Sequence, residues 1–138
     1  MQIIQMELYA PASYHAASPE VRLQVTNGCG TAGWKGRLVP DSIWFLCITP
    51  ACNIHDWMYT VGLTLADKDE ADRVFLNNVC RLIDEAGGPG FLIDLRRDAA
   101  KGYFEAVHVF GGPAFWAGKN QPGTMTVVPM PIKPMEVC

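Results

Sequence analysis

Cys52-Asn53-Ile54-His55-Asp56-Trp57-Met58-Tyr59 has the form C-x-x-H-D-x-x-Y. In a helix of about 3.6 residues per turn, Cys52, His55, Asp56 and Tyr59 stand at i, i+3, i+4 and i+7, on one face. That face carries a sulfur able to crosslink, a base, a carboxylate and a phenol. An ordinary core-facing stripe would hold Leu, Ile, Val and Ala. His55 and Asp56 are neighbours, so their side chains diverge by about 100°. They can flank one site while doing different jobs, one taking a proton and the other holding a cation. A third polar group normally orients a catalytic histidine. Asp72 is the candidate, three residues before Phe75 and seven before Val79 on the apolar side of the next helix. A carboxylate carried into a core needs partners, and His55 and Tyr59 can supply them.

These residues must be positioned by a mainly α fold. The first main helix is predicted to start at Thr49 as cap, with Pro50 as the first helical residue and Gly62 ending it. The second starts near Asp67, with Asp67 and Glu70 as a capping box. Its apolar stripe is Ala71, Val74, Phe75, Val79, Leu82, Ile83 and Ala86, and Gly87-Gly88-Pro89-Gly90 stops it. The short link makes these two core helices antiparallel neighbours bearing the His/Asp site. A third helix is expected from Phe91 to Phe110, burying Leu92, Leu95, Ala99, Tyr103, Val107 and Phe110, with Gly111-Gly112-Pro113 ending it.

Residues 1–26 read as an N-terminal arm, irregular or in short strands, punctuated by Pro11, Ser13, Ser18 and Pro19. A short helical turn is expected after Pro40, where Asp41 and Ser42 are good caps before Ile43-Trp44-Phe45-Leu46. Residues 121–138 carry Pro122, Pro129, Pro131 and Pro134 and read as an extended tail. The 138 residues are expected to form one domain. A hydrophobic fraction of 49% and an aromatic fraction of 10% describe a globular chain. The net charge of -3 gives no electrostatic case for nucleic acid. No apolar run approaches the ~18 residues of a membrane span, and the start of the chain has no signal-peptide pattern. Cytoplasmic synthesis, with release or virion association, is the expectation. Five cysteines leave at least one without a partner inside the chain.

Before the first helix, Asn27-Gly28-Cys29-Gly30-Thr31-Ala32-Gly33 is a glycine-rich loop. Such a loop can turn backbone carbonyls toward a hard cation. Calcium takes about six to eight oxygen ligands, many of them carbonyls, and Asp56 would add a carboxylate.

The loop, the C-x-x-H-D-x-x-Y helix and Ala71-Asp72-Arg73 together resemble the phospholipase A2 superfamily. The resemblance runs from Asn27 to Arg81. It implies a calcium site made by the carbonyls of Gly28, Gly30 and Ala32 and the Asp56 carboxylate. It implies His55 as general base, Asp72 as the group that orients it with help from Tyr59, and the Gly30 N–H as an oxyanion donor. Cys29 and Cys52 match the family's loop-to-helix disulfide. Ala32 stands where the family usually has glycine. The short interval from His55 to Asp72 matches the compact bacterial and fungal type, in which Asn27 would be an extra ligand. The activity implied is calcium-dependent hydrolysis of a glycerophospholipid ester at a membrane surface. Gly33-Trp34-Lys35-Gly36-Arg37-Leu38-Val39-Pro40 and Gly111-Gly112-Pro113-Ala114-Phe115-Trp116 also resemble, more loosely, proteins carried by bacteriophages and prophages.

Two other functions fit parts of this pattern. A catalytically silent binding or virion-associated domain would use the same scaffold. A metal-dependent phosphohydrolase would use His55 and Asp56 as direct ligands and would need a further histidine, with only His15 and His108 available. Neither of these has an evident partner in the sequence. Asp67, Asp69 and Glu70 read as capping and dipole residues. Arg96, Arg97 and Lys101 read as the wet face of the third helix. The four tryptophans read as core or rim, with an interfacial lipid role open for Trp34 and Trp116. Cys47 and Cys80 either pair or are small buried thiols, and Cys138 is expected to be free.

Overall fold

The computed structural model describes residues 8–25 and 42–116. Six helices and one two-stranded antiparallel hairpin make up these segments: α1 (Ala12–Ala16), α2 (Pro19–Val25), β1 (Ser42–Ile43), β2 (Leu46–Cys47), α3 (Thr49–Val61), α4 (Leu65–Ala86), α5 (Gly90–Phe110) and α6 (Gly112–Trp116). The mainly α character expected from the sequence is present. The glycine loop and the proline-rich tail lie outside the described residues.

The described part of the N-terminal arm is helical, not irregular or in strands. Its prolines mark helix starts. Pro11 is the residue before α1 and Pro19 is the first of α2, positions where a missing N–H costs nothing. The arm is tied to the body by side chains. Asn78, fully buried on α4, accepts from the Tyr9 N–H at 2.7 Å and donates to the Tyr9 carbonyl at 2.8 Å. Trp57 Nε1 donates to Ser13 Oγ at 3.0 Å.

The segment after Pro40 is a hairpin, not a helical turn. Ser42 pairs with Cys47 and Ile43 with Leu46, around the two-residue turn Trp44-Phe45. Ile43 faces inward at 2% exposure and joins the core with Leu46 packed against it. Inward packing of Ile43 and Leu46 therefore overrides the capping signal of Asp41 and Ser42.

α3 begins one residue earlier than expected, with Ile48 rather than Thr49 in the capping position and Pro50 still in the first turn. Gly62 ends it with φ -66° and ψ 149°, so handedness is not what requires glycine there. Space is: a Cβ on Gly62 would stand 2.8 Å from the Phe115 ring. The capping box of α4 is formed by Thr64 and Asp67, not by Asp67 and Glu70. Thr64 Oγ1 accepts from the Asp67 N–H at 3.1 Å, and Asp67 Oδ2 accepts from the Thr64 N–H at 3.0 Å. Glu70 instead pairs with Arg73 at the surface.

α3 and α4 pack together over a short link. Their contacts run in opposite order along the two helices. Tyr59, late in α3, packs on Ala71, early in α4, while Cys52 shares a cluster with Phe75, Val79 and Ile83. Of the α4 stripe, Ala71, Val74, Phe75, Val79 and Ile83 are buried, Leu82 is half-buried and Ala86 is exposed. α5 departs further from expectation. Leu95 and Phe110 are exposed, and its buried residues are Arg96, Ala100 and Val107. Leu92, Ala99 and Tyr103 are half-buried and Val107 is buried, as expected, so the inner side of α5 overlaps the apolar stripe and adds Arg96, which reaches the hairpin. Arg96 therefore does not belong to the wet face.

Candidate functional site

His55 and Tyr59 are one turn apart on α3, and Asp72 opposes them from the second turn of α4. All three are almost fully buried, at 1%, 1% and 0% exposure. His55 Nε2 lies 2.8 Å from Asp72 Oδ1, and Tyr59 Oη donates to the same oxygen at 2.6 Å. The His55 ring stands between Tyr59, 4.1 Å away by centroid, and Phe75, 5.0 Å away. These two walls leave the imidazole little freedom to turn. The three residues expected to meet are therefore brought together.

The second oxygen of Asp72 is held by Lys68, a residue the sequence did not single out. Lys68, at 4% exposure, places Nζ 2.8 Å from Asp72 Oδ2. Its other bonds go to the carbonyls of His108 at 3.0 Å and Val107 at 3.3 Å. An ammonium has three donors, and all three are used. Two of the acceptors are carbonyls in the last turn of α5, an end that favours a cation; the Val107 carbonyl also accepts from the Gly111 N–H at 2.8 Å. Lys68 thus links the Asp72 carboxylate to the end of α5. The sequence signal for it was its position four residues before Asp72, on the same face of α4.

Burial pushes the Asp72 carboxyl up, but the hydrogen bond and positive charge of His55 and the bonds from Lys68 and Tyr59 outweigh it. The net shift is below the ordinary carboxylate range. Asp72 is accordingly an anion and an acceptor. Nε2 of His55 therefore carries a proton toward Asp72, and whenever the imidazole is neutral Nδ1 holds the lone pair. Burial, followed by the charge of Asp72 and the bond to it, pushes the Tyr59 phenol far above its ordinary value, so it stays protonated and donates to Asp72.

Gly111, after α5, is shaped by the same cluster. A Cβ there would stand 2.5 Å from Tyr59 Oη. Its φ of -77° is ordinary, so close approach is the requirement.

Asp56 follows His55 on α3 and has no solvent exposure. A buried carboxylate is compensated by hydrogen bonds or a cation, and its hard oxygens are the donor chemistry that calcium takes. The remaining expected ligands, Gly28, Gly30, Ala32 and Asn27, lie outside the described residues, and Gly30 as oxyanion donor lies outside them with the rest. Cys52 is disulfide-bonded. Its expected partner, Cys29, is also outside the described residues. Cys47 and Cys80 are both free thiols, with Cys47 exposed and Cys80 half-buried, so neither the pairing nor a fully buried pair of thiols holds.

His108 has partners that its spacing did not reveal. Its Nδ1 is 3.4 Å from Asp72 Oδ2 and 3.8 Å from Asp69 Oδ1. These three residues bring one ligand atom each within 4.8 Å of one another. The Lys68 ammonium already occupies Asp72 Oδ2, however, and would repel a cation placed there. His108 also meets Asp72 through the oxygen that His55 does not touch, so it is not a third ligand to a His55-Asp56 pair. His15 lies on α1, exposed, with its ring edge-on to Tyr14. No described helix is long and apolar enough to cross a membrane.

Comparison of the chain with protein-family models, curated proteins and solved structures finds no match.

Proposed function

We propose that the chain hydrolyses the ester bond of a glycerophospholipid with a water activated by His55, in a calcium-dependent reaction. One observation carries the reading: the buried His55–Asp72 pair at 2.8 Å, with a buried carboxylate, Asp56, at the next position after the histidine. Resemblance to the phospholipase A2 superfamily supplies the substrate class, through the same residues and the glycine loop.

The chain's own residues divide the work. Asp72 accepts the Nε2 proton of His55 in a hydrogen bond and fixes the tautomer, so that Nδ1 faces the reaction with its lone pair free. Nδ1 takes a proton from water, and the water oxygen attacks the ester carbonyl. The imidazolium that forms is stabilised by the Asp72 anion on its far side. His55 then returns the proton to the leaving alkoxide. Tyr59 and Lys68 hold the carboxylate still. Asp56 and the carbonyls of Gly28, Gly30 and Ala32 would hold calcium. Bound there, calcium supplies Lewis-acid polarisation of the carbonyl and a counter-charge for the phosphate.

The test is release of fatty acid from mixed phospholipid vesicles, with calcium or with EDTA, by wild type and His55→Gln. Calcium-dependent release that the substitution removes is the expected result. A folded, calcium-binding wild type that releases nothing would replace the hydrolase with a silent binding module on the same scaffold.

A further inference from the structure

We infer that the Trp44–Phe45 hairpin tip is the point at which this protein inserts into a phospholipid surface. The inference rests on the lipid reading above for its choice of surface, and on the hairpin for everything else. Trp44 and Phe45 have φ of 44° and 69°. A two-residue turn with both φ positive is the I′ pattern, in which Asn-Gly and Asp-Gly predominate because side chains are strained there. Two bulky aromatic residues are the least favourable occupants. Such strain persists only where the surroundings impose it. Here Arg96, buried at 7% exposure on α5, donates from Nε and Nη2 to the Trp44 carbonyl at 3.1 and 2.7 Å. A buried guanidinium therefore fixes the turn to the body of the protein.

Packing does not account for this arrangement, because Phe45 gains almost no burial from it. Trp44 is 50% exposed and Phe45 is 95% exposed. The tip presents the Phe45 ring and half of the Trp44 side chain to water on a backbone fixed by Arg96. Its form fits lipid better than protein. A stable protein interface covers about 800 Å² on each partner, far more than two side chains on a convex turn can offer. A bilayer closes around such a point, and tryptophan favours the water–hydrocarbon boundary. The Trp44 carbonyl has two hydrogen bonds already, and the flanking residues are paired across the hairpin. The turn can leave water without stranding that carbonyl. With a net charge of -3, attraction to anionic lipid is not the driving force, so binding should survive salt.

The experiment is co-sedimentation with vesicles of diether phosphatidylcholine, which has no ester to hydrolyse. Wild type is compared with Trp44→Asn/Phe45→Gly, which installs the preferred I′ pair. The variant should melt at a higher temperature than wild type, so loss of folding cannot explain its behaviour. Wild type should bind, including at about 0.5 M salt, and the variant should bind at least about tenfold more weakly. Hydrolysis of dispersed short-chain phosphatidylcholine should be equal in the two. A wild type that ignores the vesicles, or self-associates through the tip instead, overturns the inference. So does a variant that binds as wild type does. Wild-type binding without any hydrolysis leaves the docking tip standing and removes the hydrolase reading alone.

Discussion

At the residue scale, the site is organised around one carboxylate. Asp72 accepts from His55 and Tyr59 on one oxygen and from Lys68 on the other. His55→Gln keeps a polar side chain of similar length and removes the base. Turnover should fall by about a thousandfold or more with the melting temperature little changed, read by fatty-acid release and thermal unfolding. Lys68→Met should act differently. It keeps the length of the stem, frees the end of α5 and leaves Asp72 Oδ2 facing an apolar group. Breaking a buried ion pair costs about 3–5 kcal/mol, so urea unfolding should shift to clearly lower concentration. Any hydrolysis that remains should show a lowered kcat with KM unchanged, as expected for a residue that positions Asp72 without touching substrate. The depressed Asp72 carboxyl also fixes a pH dependence. Its folded value lies below the unfolded one of about 3.9. The stabilisation it gives is complete above about pH 4 and is lost as pH falls through the lower, folded value. Wild type should lose urea resistance in that acid window, and Asp72→Asn should show a flatter profile there. Glu70 is also depressed, by its bond to Arg73, but both are at the surface and contribute little.

At the element scale, helix ends hold the site in place. The Thr64–Asp67 box starts α4 about one turn before Lys68 and two turns before Asp72. Thr64→Ala should cost about 1 kcal/mol of stability, measured by denaturant unfolding, while the His55–Asp72 geometry and activity persist. Gly111 governs the other end. Gly111→Ala would drive a methyl against Tyr59 Oη and the last turn of α5. Tyr59 must then move off Asp72 Oδ1 or α5 must shift, so activity should fall more than stability does. Equal activity in this variant would show that Tyr59 is not held by close approach. The hairpin belongs to this scale as well, since its strain is imposed by Arg96 from α5 and not by its own sequence.

At the scale of the whole molecule, α4 packs against both α3 and α5, with α1 and the Tyr9 segment tied to α3 and α4 by side-chain hydrogen bonds. Calcium that binds only the folded chain should raise the melting temperature as its concentration rises, the stabilisation reaching about 2.7 kcal/mol at a hundred times Kd. EDTA should reverse the gain, and Asp56→Asn should abolish it. Magnesium should be the weaker stabiliser, because it demands a tighter octahedral shell.

The sequence by itself determined the local parts. Periodicity and breakers placed the three long helices to within two residues, and the interval between His55, Tyr59 and Asp72 placed their side chains on facing surfaces. Such features depend on neighbours within a turn or two, which a linear reading contains. Only the tertiary structure decided the rest. Lys68 became part of the site because the end of α5, about forty residues away, supplied its carbonyl partners. Arg96 is buried with a hairpin carbonyl far upstream as its acceptor, which adds a charged side chain to the inner side of α5. Trp44 and Phe45 took positive φ because that same contact, together with inward packing of Ile43, outweighed the caps that favoured a helical turn. In each case a long-range polar contact or packing contact overrode a local preference worth less than about 1 kcal/mol per residue.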